Sequence, residues 1–483
     1  MLVKIFEKSF SEQKLPSDWK HGNISPIFKK GRKSECCNYR PISLTSIIGK
    51  IMESLVRDQL ISFLRQNKLL SDKQYGFLGG RSTVTQLLRV MDEWTAVLDS
   101  GGFIENIYLD FQKAFDSVPH RRLLTKLEAY GIKGHLLGWL KDFLIGRTQE
   151  VKINGISSPK CQVTSGIPQG SVLGPILFII YINDLPSAVN STTYMYADDT
   201  KIYNTYSKDA PIGMEIQQDI TSLENWSNKW LLKFNKSKCK QMWIYSKHQT
   251  PMEKQRYFIS SDKSQIPIEN TLQERDLGIN IDQHLLYEKH MNIVTCKASR
   301  NMGIIRRTID NLDKGTFVPL YTSLVRAHLE YGQSVWNPYL KKDIAKIESV
   351  QRNATRKVNG MAKLSYPERL KKLGLTTLRY RRLRGDMIEC YKIIRGIYDA
   401  NTCPLLSLDD QGLRGHSFKL KKNRTERLNL RKYFFTNRVV NHWNSLTESV
   451  VSAPSVNAFK NRLDVLWADH PWKLDFNSEE YSI

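Results

Sequence analysis

Residues 192–206 read TTYMYADDTKIYNTY, and the fold turns on how this stretch is read. Thr192 to Ala197 and Thr200 to Tyr206 are two short β-branched and aromatic runs joined through Asp198 and Asp199. That spacing predicts a tight hairpin with two carboxylates at its tip. Upstream, Phe103 to Phe111 is mostly apolar and reads as a buried strand ending at Asp110. A carboxylate at a strand end and others at a neighbouring hairpin tip can meet across an antiparallel sheet. Two hard divalent cations need such shared carboxylates to activate a 3′-hydroxyl and stabilise a leaving pyrophosphate. Asp-Asp is also a good turn dipeptide, and taken alone the pair needs no other explanation.

Around this core, SGIPQGSVLGP (165–175) is a Gly/Pro loop that lets backbone approach a flat substrate closely. It feeds Val172 to Leu185, which reads as a buried helix stopped by Pro186. LDFQKAFD (109–116) surrounds the first aspartate. PIFKKG (26–31) and NYRPIS (38–43) offer basic residues for a triphosphate. Ile51 to Leu64 reads as an amphipathic helix, and Ile216 to Trp230 carries an apolar stripe at helical spacing. The second half is mainly helical. Phe317, Leu320, Tyr321, Leu324, Val325, His328 and Leu329 share one face, as do Ile344, Ile347, Val350, Ala354 and Val358. His328 there reads as a satisfied core residue. A looser boundary falls near 400–415, rich in turn formers.

The 483 residues carry 72 Lys and Arg against 48 Asp and Glu, a formal charge of +24. A folded chain that tolerates such self-repulsion points to a polyanionic partner, with nucleic acid ahead of an acidic membrane surface. The excess is uneven. Residues 1–282 hold 37 basic and 29 acidic side chains, 283–483 hold 35 and 19, and 351–438 alone holds 22 and 7. A plain solvated helix face would carry compensating Glu at helical spacing, and acids are scarce there. The N-terminal stretch has scattered charges and no apolar segment of the secretory kind. The longest apolar stretch, Val172 to Ile182, is broken by Gly174 and Pro175 and falls short of the roughly 20 residues that span a bilayer. Seven scattered cysteines without metal-ligand spacing read as reduced thiols. The expected location is intracellular, nucleus or cytoplasm, without secretion or membrane association.

These motifs, with QYGF…GRST (74–83), NKSKC (235–239), ERDLGINID (274–282), LVRAHLEYGQSVWNP and RVVNHWNSL, run in an order that resembles the reverse transcriptases of non-LTR retrotransposons, above all jockey-type elements. The resemblance implies an α+β right-hand polymerase fold, fingers and palm with an antiparallel sheet over 1–282. A helical thumb-like region over 283–400 and a basic C-terminal region of unassigned role over 401–483 would follow. It implies an RNA-directed DNA polymerase that extends a primer on template RNA with dNTPs, using two Mg²⁺ with Mn²⁺ as a substitute. Asp110 and Asp198 would hold the metals with Asp199 in support. Phe115 would exclude a ribose 2′-hydroxyl, though a core Phe beside Ala114 fits the same position. Asp116 would be structural. Gln169 and Gly170 would meet the incoming nucleotide and template, and Lys30 and Arg40, with Lys29 beside them, the triphosphate. Lys238 would protonate the pyrophosphate, with Lys236 and Lys240 as competitors. Leu277 and Gly278 would grip the primer, and Arg379, Arg381, Arg382 and Arg384 would track the template–primer backbone.

The resemblance also leads one to expect an N-terminal endonuclease, which nothing here resembles, and fingers that begin earlier than this chain does. Two rivals stand beside the polymerase reading. An RNA-directed RNA polymerase conflicts with the aromatic Phe115. A retroelement relic that only binds RNA conflicts with the intact aspartates.

Overall fold

The alternation of Phe103–Leu109 sets the centre of the main sheet. Successive side chains of a strand point to opposite faces, and here Ile104 joins one buried cluster while Ile107 and Leu109 join another. The computed structural model describes residues 1–249, 255–261, 264–404, 406–409, 415–425 and 427–479. Part of the turn-rich stretch near 400–415 therefore lies outside the described residues.

The main sheet runs in the order Glu269–Asn270, Lys240–Ile244, Phe103–Leu109, Asp199–Tyr206, Thr192–Tyr196. Its three inner pairings are antiparallel, and the short Glu269–Asn270 edge is parallel. One face packs on the Thr83–Asp99 helix through Trp94 and Tyr203. The other packs on the Gly174–Ile182 and Glu215–Trp230 helices. The Gly174–Ile182 helix is apolar all round and buried all round, as such a helix must be. It begins two residues later than Val172, because the Val172 and Leu173 N–H groups donate to the buried Glu53 carboxylate at 2.7 and 3.1 Å.

A second sheet pairs His21–Phe28 antiparallel with Tyr39–Leu44 and parallel with Thr148–Ile153. A parallel pairing needs a long crossover, and the chain between His21–Phe28 and Thr148–Ile153 passes through the Thr83–Asp99 helix and the central Phe103–Leu109 strand of the main sheet.

Past Asp282 the chain is helical, beginning with Glu288–Thr308. The Phe317–Leu329 stretch is an α-helix, Lys314–Leu320, that widens into a π-helix at Tyr321–Arg326 and tightens again at Ala327–Glu330. The wider turn narrows the expected stripe to Phe317, Tyr321, Val325 and Leu329, and leaves Leu324 exposed. His328 is held by the Asn301 amide at 3.1 Å. The last part of the chain folds back onto the Thr83–Asp99 helix. Asp99 accepts the Arg427 and Leu428 N–H groups at 2.9 and 2.6 Å, and Asp92 meets Arg431 and Thr436, each at 2.6 Å. Among the described residues, no helix is long and apolar enough to cross a membrane.

Candidate active site

Strand register assembles the acids. Leu109 pairs with Thr200 and Tyr196 with Asp199, so Asp110, next after Leu109, leaves its strand beside the tip that carries Asp198 and Asp199. The end of the Asp110 strand is strapped by the 233–238 loop: Asn235 N–H donates to the Asp110 carbonyl at 2.7 Å, and Gln112 N–H to the Lys233 carbonyl at 2.8 Å. That strap delivers Lys238, whose Nζ lies 2.6 Å from the Asp110 carboxylate. Of the three lysines in competition, the structure brings Lys238 to the aspartate, while Lys240 pairs with Glu269.

The acids face a cleft of about 1860 Å³. Burial pushes the Asp198 carboxyl up, Asp110 adds to this, and Lys29 and Arg40 oppose it. The protein around Asp199 pushes its carboxyl up to about 6, with Asp198, Asp276 and Asp110 adding repulsion. The open cleft still exposes Asp199 to solvent, which moderates that push. Crowded carboxylates of this kind are a fit for a hard cation, whose charge relieves their repulsion. Among the described residues no three His, Cys, Asp or Glu side chains form a cage of their own. A few carboxylates completed by water and phosphate oxygens is how Mg²⁺ is ordinarily held.

The opposite wall is basic. Lys29, Lys30, Lys33, Arg40 and Lys113 line the cleft, and among the described residues none of the five forms an ion pair. Phe115 is half-buried at the floor, stacked on Phe178 at 4.3 Å and 20° and edge-on to Phe77. Asp116 accepts the Gln169 side-chain amide at 2.8 Å and so holds Gln169 at the cleft. Gly170 follows with φ +117, where an added Cβ would sit 2.6 Å from the Ser43 carbonyl, so only glycine fits.

Leu277 and Gly278 form the turn of the hairpin between Gln273–Asp276 and Ile279–Asp282 and do not line the cleft. Tyr331 donates its hydroxyl to the Leu277 carbonyl at 2.8 Å. Beneath that turn the buried Lys201–Asp276 pair ties it to the strand that begins at Asp199.

The four arginines expected along a nucleic-acid track lie among the helices of the second half. Arg379 donates to the Phe476 and Ser478 carbonyls at 2.8 and 3.1 Å and lies over the Trp472 ring. Arg381 pairs with Glu330, and Arg384 with Asp464 at 2.6 and 2.7 Å. Arg382 is buried, its guanidinium pushed down to about 10 by burial, with Glu348 and Asp386 opposing that shift. Arg381 and Arg384 join helices of the second half to one another, and none of the four lines the cleft.

Sequence reasoning passed over Lys33, Lys113, Glu53 and Gln74. The first two stand beside quoted motifs, and their positive charge was the available signal. Glu53 and Gln74 act on backbone more than a hundred residues away; Gln74 opens the quoted QYGF segment, whereas nothing local marks Glu53.

The family described as reverse transcriptase (RNA-dependent DNA polymerase) matches residues 27–276. A probable RNA-directed DNA polymerase from the X-element transposon of Drosophila melanogaster is 28% identical over 373 residues, 74% of this chain and 40% of that protein. The RNA-directed DNA polymerase of the jockey mobile element of the same fly is 27% identical over 377 residues, again 74% of this chain and 40% of that protein. The chain thus spans about two fifths of the length of these relatives. A solved apo telomerase from Candida tropicalis aligns at a TM-score of 0.42 and 12% identity, over 79% of this chain and 65% of that one, a loose likeness.

Proposed function

The chain belongs to the reverse transcriptase family, and from that premise we propose that it is the RNA-directed DNA polymerase of a non-LTR retrotransposon, adding dNTPs to a DNA primer on an RNA template. Residues 1–282 would supply fingers and palm, and the helices after Asp282 the thumb. One observation carries the reading: the strand register sets Asp110 beside Asp198 and Asp199, in a cleft also lined by Lys29, Lys30, Lys33, Arg40 and Lys113, which among the described residues pair with no acid.

Two Mg²⁺, or Mn²⁺ in their place, would be held by Asp110 and Asp198 with Asp199 beside them, and would lower the barrier to 3′-hydroxyl attack and pyrophosphate departure. The chain's own groups do the rest. Lys29, Lys30, Lys33 and Arg40 bind the triphosphate by charge-assisted hydrogen bonds. Gln169, fixed by Asp116, and the bare backbone at Gly170 orient the nucleotide against the template. The Phe115 ring, fixed by Phe178, fills the space a 2′-hydroxyl needs. Lys238 Nζ, 2.6 Å from the Asp110 carboxylate, is placed to supply the proton for the leaving pyrophosphate. The Glu288–Thr308 helix, next in the chain after the Leu277–Gly278 hairpin, carries exposed Lys297, Arg300 and Arg307, which would track the template–primer backbone.

Primer extension on an RNA template with Mg²⁺ and dNTPs tests the reading. Asp198→Ala is expected to lower extension by about 10³-fold or more, the scale of losing a group that acts in the transition state, and to leave RNA affinity unchanged. Wild type and Asp198→Ala equally inert, with both binding RNA, would leave only an RNA-binding relic. Phe115→Val is expected to admit ribonucleotides, and unchanged sugar selectivity would remove Phe115 from that role.

A further inference from the structure

The Gln74–Phe77 segment grips the aspartate hairpin from within. Gln74 is fully buried. Its Oε1 accepts the Ala197 N–H at 2.8 Å and the Gly76 N–H at 2.7 Å, and its Nε2 donates to the Ala197 carbonyl at 3.4 Å. Ala197 stands directly before Asp198 with φ +56, a left-handed conformation that a residue with a Cβ keeps only when its surroundings hold it. Gly76 packs so closely that an added Cβ would lie 2.5 Å from the Ala197 nitrogen. One residue earlier, the Met195 carbonyl takes the Tyr75 N–H at 2.8 Å and the Gln86 side-chain amide at 2.9 Å. One residue later, Phe77 stands edge-on to Phe115, centroids 6.2 Å apart at 87°.

We propose that Gln74 is a positioning residue: its amide clamps the left-handed turn at Ala197, and the clamp sets where the Asp198 carboxylate enters the cleft. The inference rests on the polymerase reading for its catalytic meaning. The residue type follows from the task. A single planar group must accept two N–H bonds and donate one, and a primary amide does both without charge. The Gly76–Phe77 backbone carries the same support on to the Phe115 ring, so one segment aligns metal-facing acid and sugar-facing aromatic.

Gln74→Met keeps the length and removes the hydrogen bonds. Its kcat for extension is expected to fall about 10²-fold, the scale of a small misplacement at a reacting centre, with the dNTP KM little changed. Adding Ala197→Gly restores about tenfold, because glycine adopts the left-handed turn without a clamp. Two readouts need no catalysis. Amide exchange in the 194–199 peptide speeds up in Gln74→Met, and Mn²⁺ binding to the free protein weakens. If Gln74→Met does not fold, Gln74→Glu takes its place against the same Ala197→Gly rescue. The proposal is overturned if kcat stays within about twofold of wild type, or if kcat and KM worsen together with no rescue and unchanged exchange. A wild type that extends no primer defeats the polymerase reading instead, and exchange and Mn²⁺ binding then still decide the clamp.

Discussion

Two buried acids, one in the sheet half and one in the helical half, are accommodated in opposite ways. On the central strand, Glu105 is fully buried with the Tyr206 hydroxyl and the Gln241 amide, each at 3.3 Å, and with no cation. Burial pushes its carboxyl up to about 7, so it is accommodated by holding a proton. In the helical half, buried Asp386 receives the Arg438 guanidinium at 2.8 and 3.0 Å, and Glu330 receives Arg381. The cations follow the reverse rule. At the cleft, Lys29, Lys30, Lys33, Arg40 and Lys113 pair with no acid among the described residues and Lys238 pairs with Asp110, whereas Arg379, Arg381, Arg384, Arg431 and Arg438 already hold carboxylates or carbonyls elsewhere. A local count of basic residues therefore does not locate the polyanion.

Three substitutions would break or sharpen that contrast. The largest effect is expected from Arg438→Met, which leaves Asp386 buried without its cation. Urea unfolding should show a loss of about 3–5 kcal/mol, with RNA affinity unchanged at matched salt. A loss confined to affinity would make Arg438 a binding residue and undo the comparison.

Glu105→Gln comes next. The folded-state value lies above the unfolded 4.5, so the native state binds the extra proton between them. Stability contributed there is present below about 4.5, falls as pH rises to about 7 and then levels off. The substitution should flatten that fall and stabilise the protein at pH 8 by roughly 3 kcal/mol, an upper scale set by the shift itself. Parallel pH curves for the two proteins would show that the carboxyl is not buried as an acid.

Arg40→Gln is the smallest. It should raise the dNTP KM about tenfold, equivalent to about 1.4 kcal/mol, with an unfolding curve that does not move. An effect on stability without one on KM would place Arg40 among the structural arginines.

Much of the site was legible because its determinants are local. The β-branched runs around Asp198 and Asp199 form a hairpin wherever they are placed, and the apolar run before Asp110 forms a strand. The glycines of 165–175 mark a loop, and Phe115 and Lys238 lie within a few residues of motifs that could be recognised. The arginines misled for the complementary reason. Arg379 to Arg384 are charged in any context, and only the acids and carbonyls that the fold brings to them, Glu330, Asp464, Phe476 and Ser478, show that they are engaged.

What the sequence by itself determined is the set of elements, the chemistry of the acids and the sign of the ligand's charge, since periodicity, turn chemistry and net charge need no partner. Tertiary structure decided which cations are left for that ligand, where the Gly174 helix begins, and how the strained Ala197 turn is held. Each of these depends on a contact between residues far apart in the chain: Glu53 with Val172, Gln74 with Ala197, Arg384 with Asp464. A hydrogen bond or ion pair is defined by two positions in space, and a sequence states only one of them at a time.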